Sequence, residues 1–539
     1  MAKSFNITGA CNPELHYMVN IDDRLQIIKR MIDRGNYFTI NRARQYGKTT
    51  TLGALGKFLQ DEYVVIHLDF QMLSYEDFSS EASFVSAFVK SLLRESSEGK
   101  KIPQDIASRL NHFIDSSNKT ARLSDLFPCL SNWCAVSRQP VVLMIDEADN
   151  AANNQIFIDF LSQIRAYFNA NRTRKIPTFQ SVILAGVHDI KHLKIKIKKS
   201  AADQPPESDR EHNSPWNIAT DFLLDMSFDP KGIAGMLLSY ENDYHTGMDI
   251  ELLADLIYEY TSGYPYLVSR ICNIIDERLV GSKAYPTMGS AWSRSGFLEA
   301  IKILQSESNS LFDSLLNKLN DYPELKQMIY EILFYGRDVP YTVGFQPIED
   351  AEMFGFVRKA GGNVAIANRI FETVLYNLFL TTPEAQGSQI YKAASQDKNQ
   401  FIQDNRLNMR LVLDKFVTHF SSVYGEHPEK FPEEDGRKYF LLYLKPIING
   451  TGNYYIEPQT RDSRRSDVII DYNGEQFIVE LKLWRGAAYH TQGEKQLMEY
   501  MDNYRLKCGY LLTFNFNEKK VSGIKEIISG DKTLIEAMV

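Results

Sequence analysis

The sequence is poor in cysteine: five in 539 residues, at 11, 129, 134, 272 and 508, with no CxxC pair among them. That scatter excludes a disulfide framework and a zinc knuckle, and it suits a reducing compartment. Long apolar runs are also missing. None approaches the ~18 residues a membrane helix needs, so a membrane is not expected as a partner. The opening MAKSFNITGACNP holds no apolar core of the kind a secretory leader needs, and a cytoplasmic location is the expectation. Basic excess is absent too: the formal net charge is −8, so only a local surface could attract a polyanion. No fixed-period repeat and no long low-complexity tract is present, which excludes a solenoid. The remaining composition, 44% hydrophobic and 24% charged, is ordinary for folded protein, and the length allows three or four domains.

Residues 1–228 alternate two periodicities. A helix is expected around 21–34 and another from Lys48. Strands are expected at 37–42, 64–70, 141–146, 181–187 and 222–228. Strands separated by helices make an α/β layer with a largely parallel sheet. The polar stretch 200–215 reads as a loop. From 229 to about 285 the period is helical, giving a three-helix unit. Helices continue over 290–336, and 339–380 reads as two or three short strands before the helix NRIFETVLYNLF, an order compatible with a winged helix. The Gln-, Ser-, Asn- and Lys-rich segment 384–406 reads as a linker. Helices near 407–424 and 433–445, a strand pair at 467–484, a helix near 493–505 and a strand at 510–514 make a second, smaller α/β unit.

Arg42-Ala43-Arg44-Gln45-Tyr46-Gly47-Lys48-Thr49 stands between a strand and a helix, with Thr50 directly after it. A GxxxxGK[ST] loop holds phosphate in that setting. Backbone N–H groups and the helix N-terminus face the anion, Lys48 reaches the β- and γ-phosphates, and Thr49 holds Mg²⁺. Arg42 stands where the pattern has its first glycine, so it is expected to take a backbone shape that glycine usually supplies. About a hundred residues on, VVLMIDE (141–147) ends an apolar strand in adjacent acids. Asp146 would hold Mg²⁺ through water and Glu147 would polarise the attacking water.

Near the C-terminus, DVIIDY-NG-EQFIVELKLW (467–484) is two apolar strands around Asn473-Gly474, the dipeptide of a two-residue type I′ hairpin. In that register Asp467 faces Glu480 and Arg465 faces Lys482, while Glu480 and Lys482 share a face. Like charges directly opposed destabilise a ladder, and apolar flanks make a bare acidic pair costly. A divalent cation would resolve the conflict, since Mg²⁺ takes hard oxygen ligands. Lys482 could then orient the water that attacks a phosphodiester.

Taken together, residues 1–285 resemble the AAA-ATPase-like families of the ASCE P-loop class. The resemblance is carried by HYMV (16–19), RARQYGKTT, LMIDEAD, SVILAGVHD, SPWNIA (214–219) and GYPYLVSR (263–270). It implies ATP with Mg²⁺ at Arg42, Arg44, Gln45, Tyr46, Gly47, Lys48, Thr49, Thr50 and Asp146, with Glu147 catalytic. Such loops often begin R-P-R, so Arg42 fits the habit and Ala43 departs from it. The polar γ-phosphate sensor usual after the fourth strand is missing at Ala185, which leaves His188 or Asp189. The GYP turn resembles an element that sets a lid helix over the nucleotide, from which Arg270 could touch phosphate, though a surface role also fits it.

Residues 431–539 resemble the PD-(D/E)XK nuclease superfamily, through KYFLLYLKPIINGTG (438–452), RRSDVII (464–470), IVELKLW (478–484) and GEKQLMEYMD (493–502). This implies Mg²⁺ or Mn²⁺ on Asp467, Glu480 and a glutamate of the preceding helix, Glu434 being preferred over Glu433. Lys482 and Gln496 would assist catalysis. Ser466 replaces the proline of the motif. The expected fold class is thus α/β, with helical regions between two α/β domains. A P-loop ATPase core (1–228) is followed by a helical lid (229–285) and a helical, winged-helix-like region (286–383). A linker and helix (384–430) then lead to a restriction-endonuclease-like domain (431–539).

This last region has 15 Lys+Arg against 16 Asp+Glu, near neutrality, and Arg461, Arg464 and Arg465 stand just before Asp467. A metal on the carboxylates would turn the local balance positive, which suits contacts to a nucleic-acid backbone. The alternating KHLKIKIKK (191–199) could form a basic strand face or a lysine-blunted edge. Trp484, Tyr489 and Tyr504 could stack on bases or pack internally. Three functions fit. One is an ATP-dependent nuclease acting on nucleic acid, DNA by resemblance, in defence against or maintenance of mobile elements. The others are a non-cleaving nucleotide switch that binds nucleic acid or protein, and a chaperone-like remodeller. Assembly into a homo-oligomer is left open.

Overall fold

The computed structural model of the chain describes residues 3–97, 101–114, 121–151, 154–187, 215–335, 337–424, 433–448, 451–456, 467–484, 494, 497–498, 501–502, 506–515 and 522–539. It divides into two compact units, Met1–Ser227 and Phe228–Val539.

In the first unit, β1 (Phe38–Asn41), β2 (Val64–Asp69), β3 (Val141–Asp146) and β4 (Ser181–Gly186) form a parallel sheet of order β1-β4-β3-β2. Every residue of β3 and β4 is buried. A strand reads as apolar on both sides only if both faces of its sheet are covered. Here one face carries Leu25, Ile28 and Ile32 of the helix Asp22–Asp33 with Leu52, Leu55 and Leu59 of the helix Lys48–Leu59. The other carries Phe84 and Phe88 of Glu81–Ser97 with Phe157 and Phe160 of Gln155–Arg174. Parallel pairing puts the C-terminal ends of β1, β3 and β4 along one rim, where open α/β sheets bind ligands. The loop after β1 and the acids after β3 both stand there.

The expected strand at 222–228 does not form. One bridge, Thr220 to Phe38, begins a fifth parallel strand, and no ladder follows it. The carbonyls of Leu224, Met226 and Ser227 are occupied instead by the guanidinium groups of Arg42 and Arg24, while Phe222 and Met226 pack into the core.

The second unit opens with the helices Pro230–Tyr244, Ile250–Thr261 and Pro265–Ile274, the last running into a π turn at Ile275–Leu279. Further helices follow at Arg294–Ser306, Ser310–Asp321 and Pro323–Tyr335. In 339–380, β5 (Val357–Ala360) and β6 (Asn363–Ile366) pair antiparallel before the helix Arg369–Leu380. They are preceded by a helix, Gln346–Met353, that the strand pattern did not foresee; Pro347 in its first turn is the position where proline favours a helix start. The segment 384–406 is no bare linker. It forms the helices Pro383–Gly387 and Gln389–Asp397 and a small hairpin of β7 (Ile402–Gln403) and β8 (Arg406–Leu407). Ile390, Ala394 and Phe401 are buried, so a few apolar positions hold down a polar stretch.

The helices Met409–Tyr424 and Glu433–Ile448 lead into a six-stranded sheet of order β13-β14-β12-β11-β10-β9. Its strands are β9 (Gly452–Ile456), β10 (Asp467–Tyr472), β11 (Glu475–Leu483), β12 (Cys508–Phe514), β13 (Gly523–Ser529) and β14 (Lys532–Met538). The strands β10, β11 and β12 were expected; β9, β13 and β14 are additions. Edge strand β13 is mostly exposed, so it carries no buried apolar stripe to announce it. On one face, Phe514 meets the rings of Phe416 and Phe420, and a Cβ on Gly436 would come within 2.7 Å of the Phe514 ring. That absent side chain lets the helix Glu433–Ile448 lie close to the sheet.

Candidate active sites

The phosphate loop is built on two left-handed residues, Gln45 (φ 58°) and Gly47 (φ 79°). Arg42 is not one of them, contrary to the expectation that it must copy glycine. Its guanidinium instead acts as a strut. It bonds the Asn41 and Leu224 carbonyls and lies 5.6 Å from the Phe222 ring. Tyr46 adds a second tie, its hydroxyl 2.7 Å from Ser227 Oγ. Gly47 turns the chain into the helix Lys48–Leu59. Lys48 is buried, and its Nζ donates to the Arg42 and Ala43 carbonyls at 3.0 and 3.1 Å. Burial lowers its pKa, partly offset by Glu147, Asp149 and Asp146. A desolvated ammonium closed over its own loop is suited to an anion arriving there. Thr49 and Arg44 are exposed, while the Thr50 hydroxyl is held by the Cys11 N–H at 3.0 Å.

At the end of β3, buried Asp146 accepts the Glu147 N–H at 3.0 Å. Glu147 sits at φ 51°, which turns it out of the strand line. Its carboxyl is raised above the usual range by burial and then by Asp149, with Lys48 opposing. The sequence reading gives Asp149 no role, yet it closes the rim. Its Oδ2 accepts the Val187 N–H at 3.0 Å, and a Cβ on Gly186 would approach its Oδ1 to 2.7 Å. The cue was there: an acid two positions beyond Glu147 and a glycine ending β4.

The C-terminal hairpin has the expected register. Asn473 (φ 48°) and Gly474 (φ 84°) are both left-handed, as a type I′ turn requires, and Asp467 pairs with Glu480. Glu480 and Lys482 are 1% and 5% exposed, with Nζ 2.7 Å from Oε1. Both belong to the face where parallel pairing also places Thr513, opposite Lys482. Thr513 is a buried residue that sequence reasoning passed over, and its Oγ1 has no hydrogen-bond partner among the described residues.

Residues 17–196 match a family described as a predicted AAA-ATPase, and residues 454–527 match the PD-(D/E)XK nuclease superfamily. The chain thus carries an AAA-ATPase-like domain and, towards its C-terminus, a PD-(D/E)XK nuclease superfamily domain. The first match spans β1 to β4 and the second runs from β9 into β13. No curated protein matches the chain. Among solved structures it is similar to the Walker-type ATPase PABY2304 of Pyrococcus abyssi, at 15% identity and TM-score 0.45, covering 69% of this chain and 99% of that one. It is also similar to the Aeropyrum pernix ORC1 protein, solved in complex with DNA, at 10% identity and TM-score 0.30, covering 67% and 93%. The ADP form of the ORC2 protein from Aeropyrum pernix gives 11% identity and TM-score 0.36, covering 70% and 98%.

In the second unit, Arg270 Nε and Nη2 donate to Glu307 at 2.8 and 2.7 Å, and its Nη1 donates to Asn273 at 2.7 Å. His188, Asp189, 191–199, Arg461, Arg464, Arg465, Tyr489, Gln496 and Tyr504 lie outside the described residues. Asp467 is placed by its backbone register. Glu433 and Glu434 are placed as the first residues of their helix. Trp484 continues the sheet, its N–H on the Phe514 carbonyl at 2.9 Å.

Proposed function

We propose that this protein binds and hydrolyses ATP in its N-terminal domain and couples that cycle to metal-dependent cleavage of DNA by its C-terminal domain, in the control of foreign or mobile DNA. The observation that carries the nuclease half is the buried Glu480–Lys482 pair opposite Asp467 on neighbouring strands. A carboxylate facing another carboxylate, with one lysine beside it, is a donor set for a divalent cation and a phosphodiester.

In the ATPase domain, Lys48 would exchange its loop carbonyls for the β- and γ-phosphates, and the N-terminus of its helix would face them. Thr49 and Asp146 would hold Mg²⁺. Glu147, with its raised pKa, would accept a proton from the attacking water. In the nuclease domain, Asp467, Glu480 and Glu434 would hold Mg²⁺ or Mn²⁺. A bound ion there supplies Lewis-acid stabilisation of charge on phosphate. Lys482 holds the Glu480 carboxylate in place and offers its remaining protons to water or phosphate.

The closed Glu480–Lys482 contact also supports a second reading, in which the pair is structural and the chain is a nucleotide switch that binds without cutting. Incubation of duplex DNA with wild type and with Glu480→Gln, in Mg²⁺ and in EDTA, separates the two. Cleavage only by wild type with metal fits a nuclease, and no cleavage in any arm fits the switch.

A further inference from the structure

Asp471 lies on β10 four residues beyond Asp467, at a position on the same strand face. Its carboxylate is buried and doubly held. One oxygen takes the amide of its cross-strand partner Gln476 at 2.9 Å, and the other takes the hydroxyl of Tyr260. Tyr260 is in the last turn of the helix Ile250–Thr261, 211 residues earlier in the chain. The grip is reinforced alongside. Glu259 pairs with Arg369, whose guanidinium is 5.7 Å from the Tyr260 ring, and the Thr373 hydroxyl on the same helix is shared between the Arg369 carbonyl at 3.0 Å and the Tyr454 carbonyl of β9 at 3.3 Å.

One residue beyond Tyr260 the helix ends in two left-handed residues, Ser262 (φ 48°) and Gly263 (φ 73°). The Gly263 carbonyl accepts the Phe228 N–H at 2.8 Å, and a Cβ on Gly263 would fall 1.9 Å from the Phe228 carbonyl oxygen. Backbone meets backbone there, with no side chain to act as a cushion. Phe228 is peptide-bonded to Ser227, and Ser227 is held by Tyr46 of the phosphate loop. From Tyr46 to Asp471, then, every step is a hydrogen bond or a covalent run of backbone.

We propose that Tyr260 and Asp471 are positioning residues through which nucleotide at the phosphate loop sets the strand that carries Asp467. The proposal rests on the reading that this strand holds the metal site. Phosphate arriving at Lys48 competes for the ammonium that now ties down the Arg42 and Ala43 carbonyls. The loop that must then adjust is the one that grips 224–227 through Arg42 and Tyr46. At the far end, the Tyr260–Asp471 hydrogen bond is buried, so water cannot readily replace it when the helix shifts.

The test uses the full chain with Mg²⁺, with and without a saturating non-hydrolysable ATP analogue, and follows hydrogen exchange of the 467–472 amides. Tyr260→Phe removes the hydroxyl and keeps the ring that packs edge-on against Phe297. Ser227→Ala breaks the path at its other end and covers the case in which Tyr260→Phe folds poorly. The expected result is a change in exchange rate of about threefold or more on analogue binding in wild type. In each variant it should fall to less than half of that, at unchanged analogue affinity. A wild-type strand that ignores bound analogue, or two variants that respond as wild type does, overturns the proposal. DNA cleavage is scored separately: an exchange response without cleavage supports the linkage and removes only the nuclease reading.

Discussion

The Lys482 ammonium stands 2.7 Å from the Glu480 carboxylate, and both side chains are buried on one face of the C-terminal sheet. A pair of this kind is weak evidence for stability taken whole, but breaking it on one side leaves a buried charge uncompensated. Lys482→Met should therefore destabilise the C-terminal domain by roughly 3–5 kcal/mol, and the double variant Glu480→Gln/Lys482→Met should recover most of that loss. Denaturant melts of the full chain, with the C-terminal transition followed separately, would show it. A double variant as unstable as the single one would mean that packing, and not charge, holds this site.

The loop geometry gives Lys48 a defined part. ATP at a hundredfold excess over its dissociation constant should stabilise the wild-type chain by about 2.7 kcal/mol. Lys48→Ala should lose that stabilisation, and Glu147→Gln should keep it while hydrolysis slows by orders of magnitude. Thermal shift and a phosphate-release assay on the same samples check both statements. Equal ATP stabilisation in wild type and Lys48→Ala would remove the phosphate-loop assignment.

Glu147 and Asp149 form a pair whose pH behaviour has a definite sign. Burial and the Asp149 charge raise the Glu147 pKa. A base that must be ionised loses activity as pH falls through its own pKa, so hydrolysis should show an acid limb above the normal carboxylate range. Asp149→Asn removes one of the raising charges while retaining an oxygen for the Val187 N–H. The acid limb should then move to lower pH. A pH–rate profile that is unshifted, or shifted upward, contradicts the assignment of Glu147 as base.

Much of this was legible from the residues because its determinants are local. Asn473-Gly474 dictates a turn of fixed length, so the pairing of Asp467 with Glu480 follows by counting. Apolar strands between amphipathic helices likewise announce a parallel sheet. The misreadings arose where distant groups decide. Residues 222–228 have the apolar content of a strand, but Arg24 and Arg42, some 180–200 residues away, take the carbonyls a ladder would use. Residues 384–406 look like a linker in composition and are fixed by Ile390, Ala394 and Phe401 finding a core. Thr513 had no signal at all, since its importance is its register with Lys482 across two strands that sequence leaves unpaired.

Gly263 is a place where only glycine fits. Its φ of 73° and the 1.9 Å approach of a Cβ to the Phe228 carbonyl act together. Gly263→Ala should cost more than about 1 kcal/mol, the left-handed penalty alone, because the clash adds to it. Gly474→Ala, left-handed too but with open space around its Cβ, should cost less. Paired urea melts rank the two, and the reverse order would show that the Gly263 turn relaxes freely.

The central claim is that the buried Glu480 and its cross-strand partner Asp467 make a metal-dependent nuclease under the control of the phosphate loop. Its most direct measurement is cleavage of duplex DNA by the full chain in Mg²⁺ or Mn²⁺, with and without ATP, for wild type, Glu480→Gln and Lys48→Ala. The account predicts that wild type cuts, that EDTA and Glu480→Gln both abolish cutting, and that Lys48→Ala loses the response to ATP. Cutting that survives in Glu480→Gln, or a wild type that leaves DNA intact in either metal with and without ATP, would contradict it.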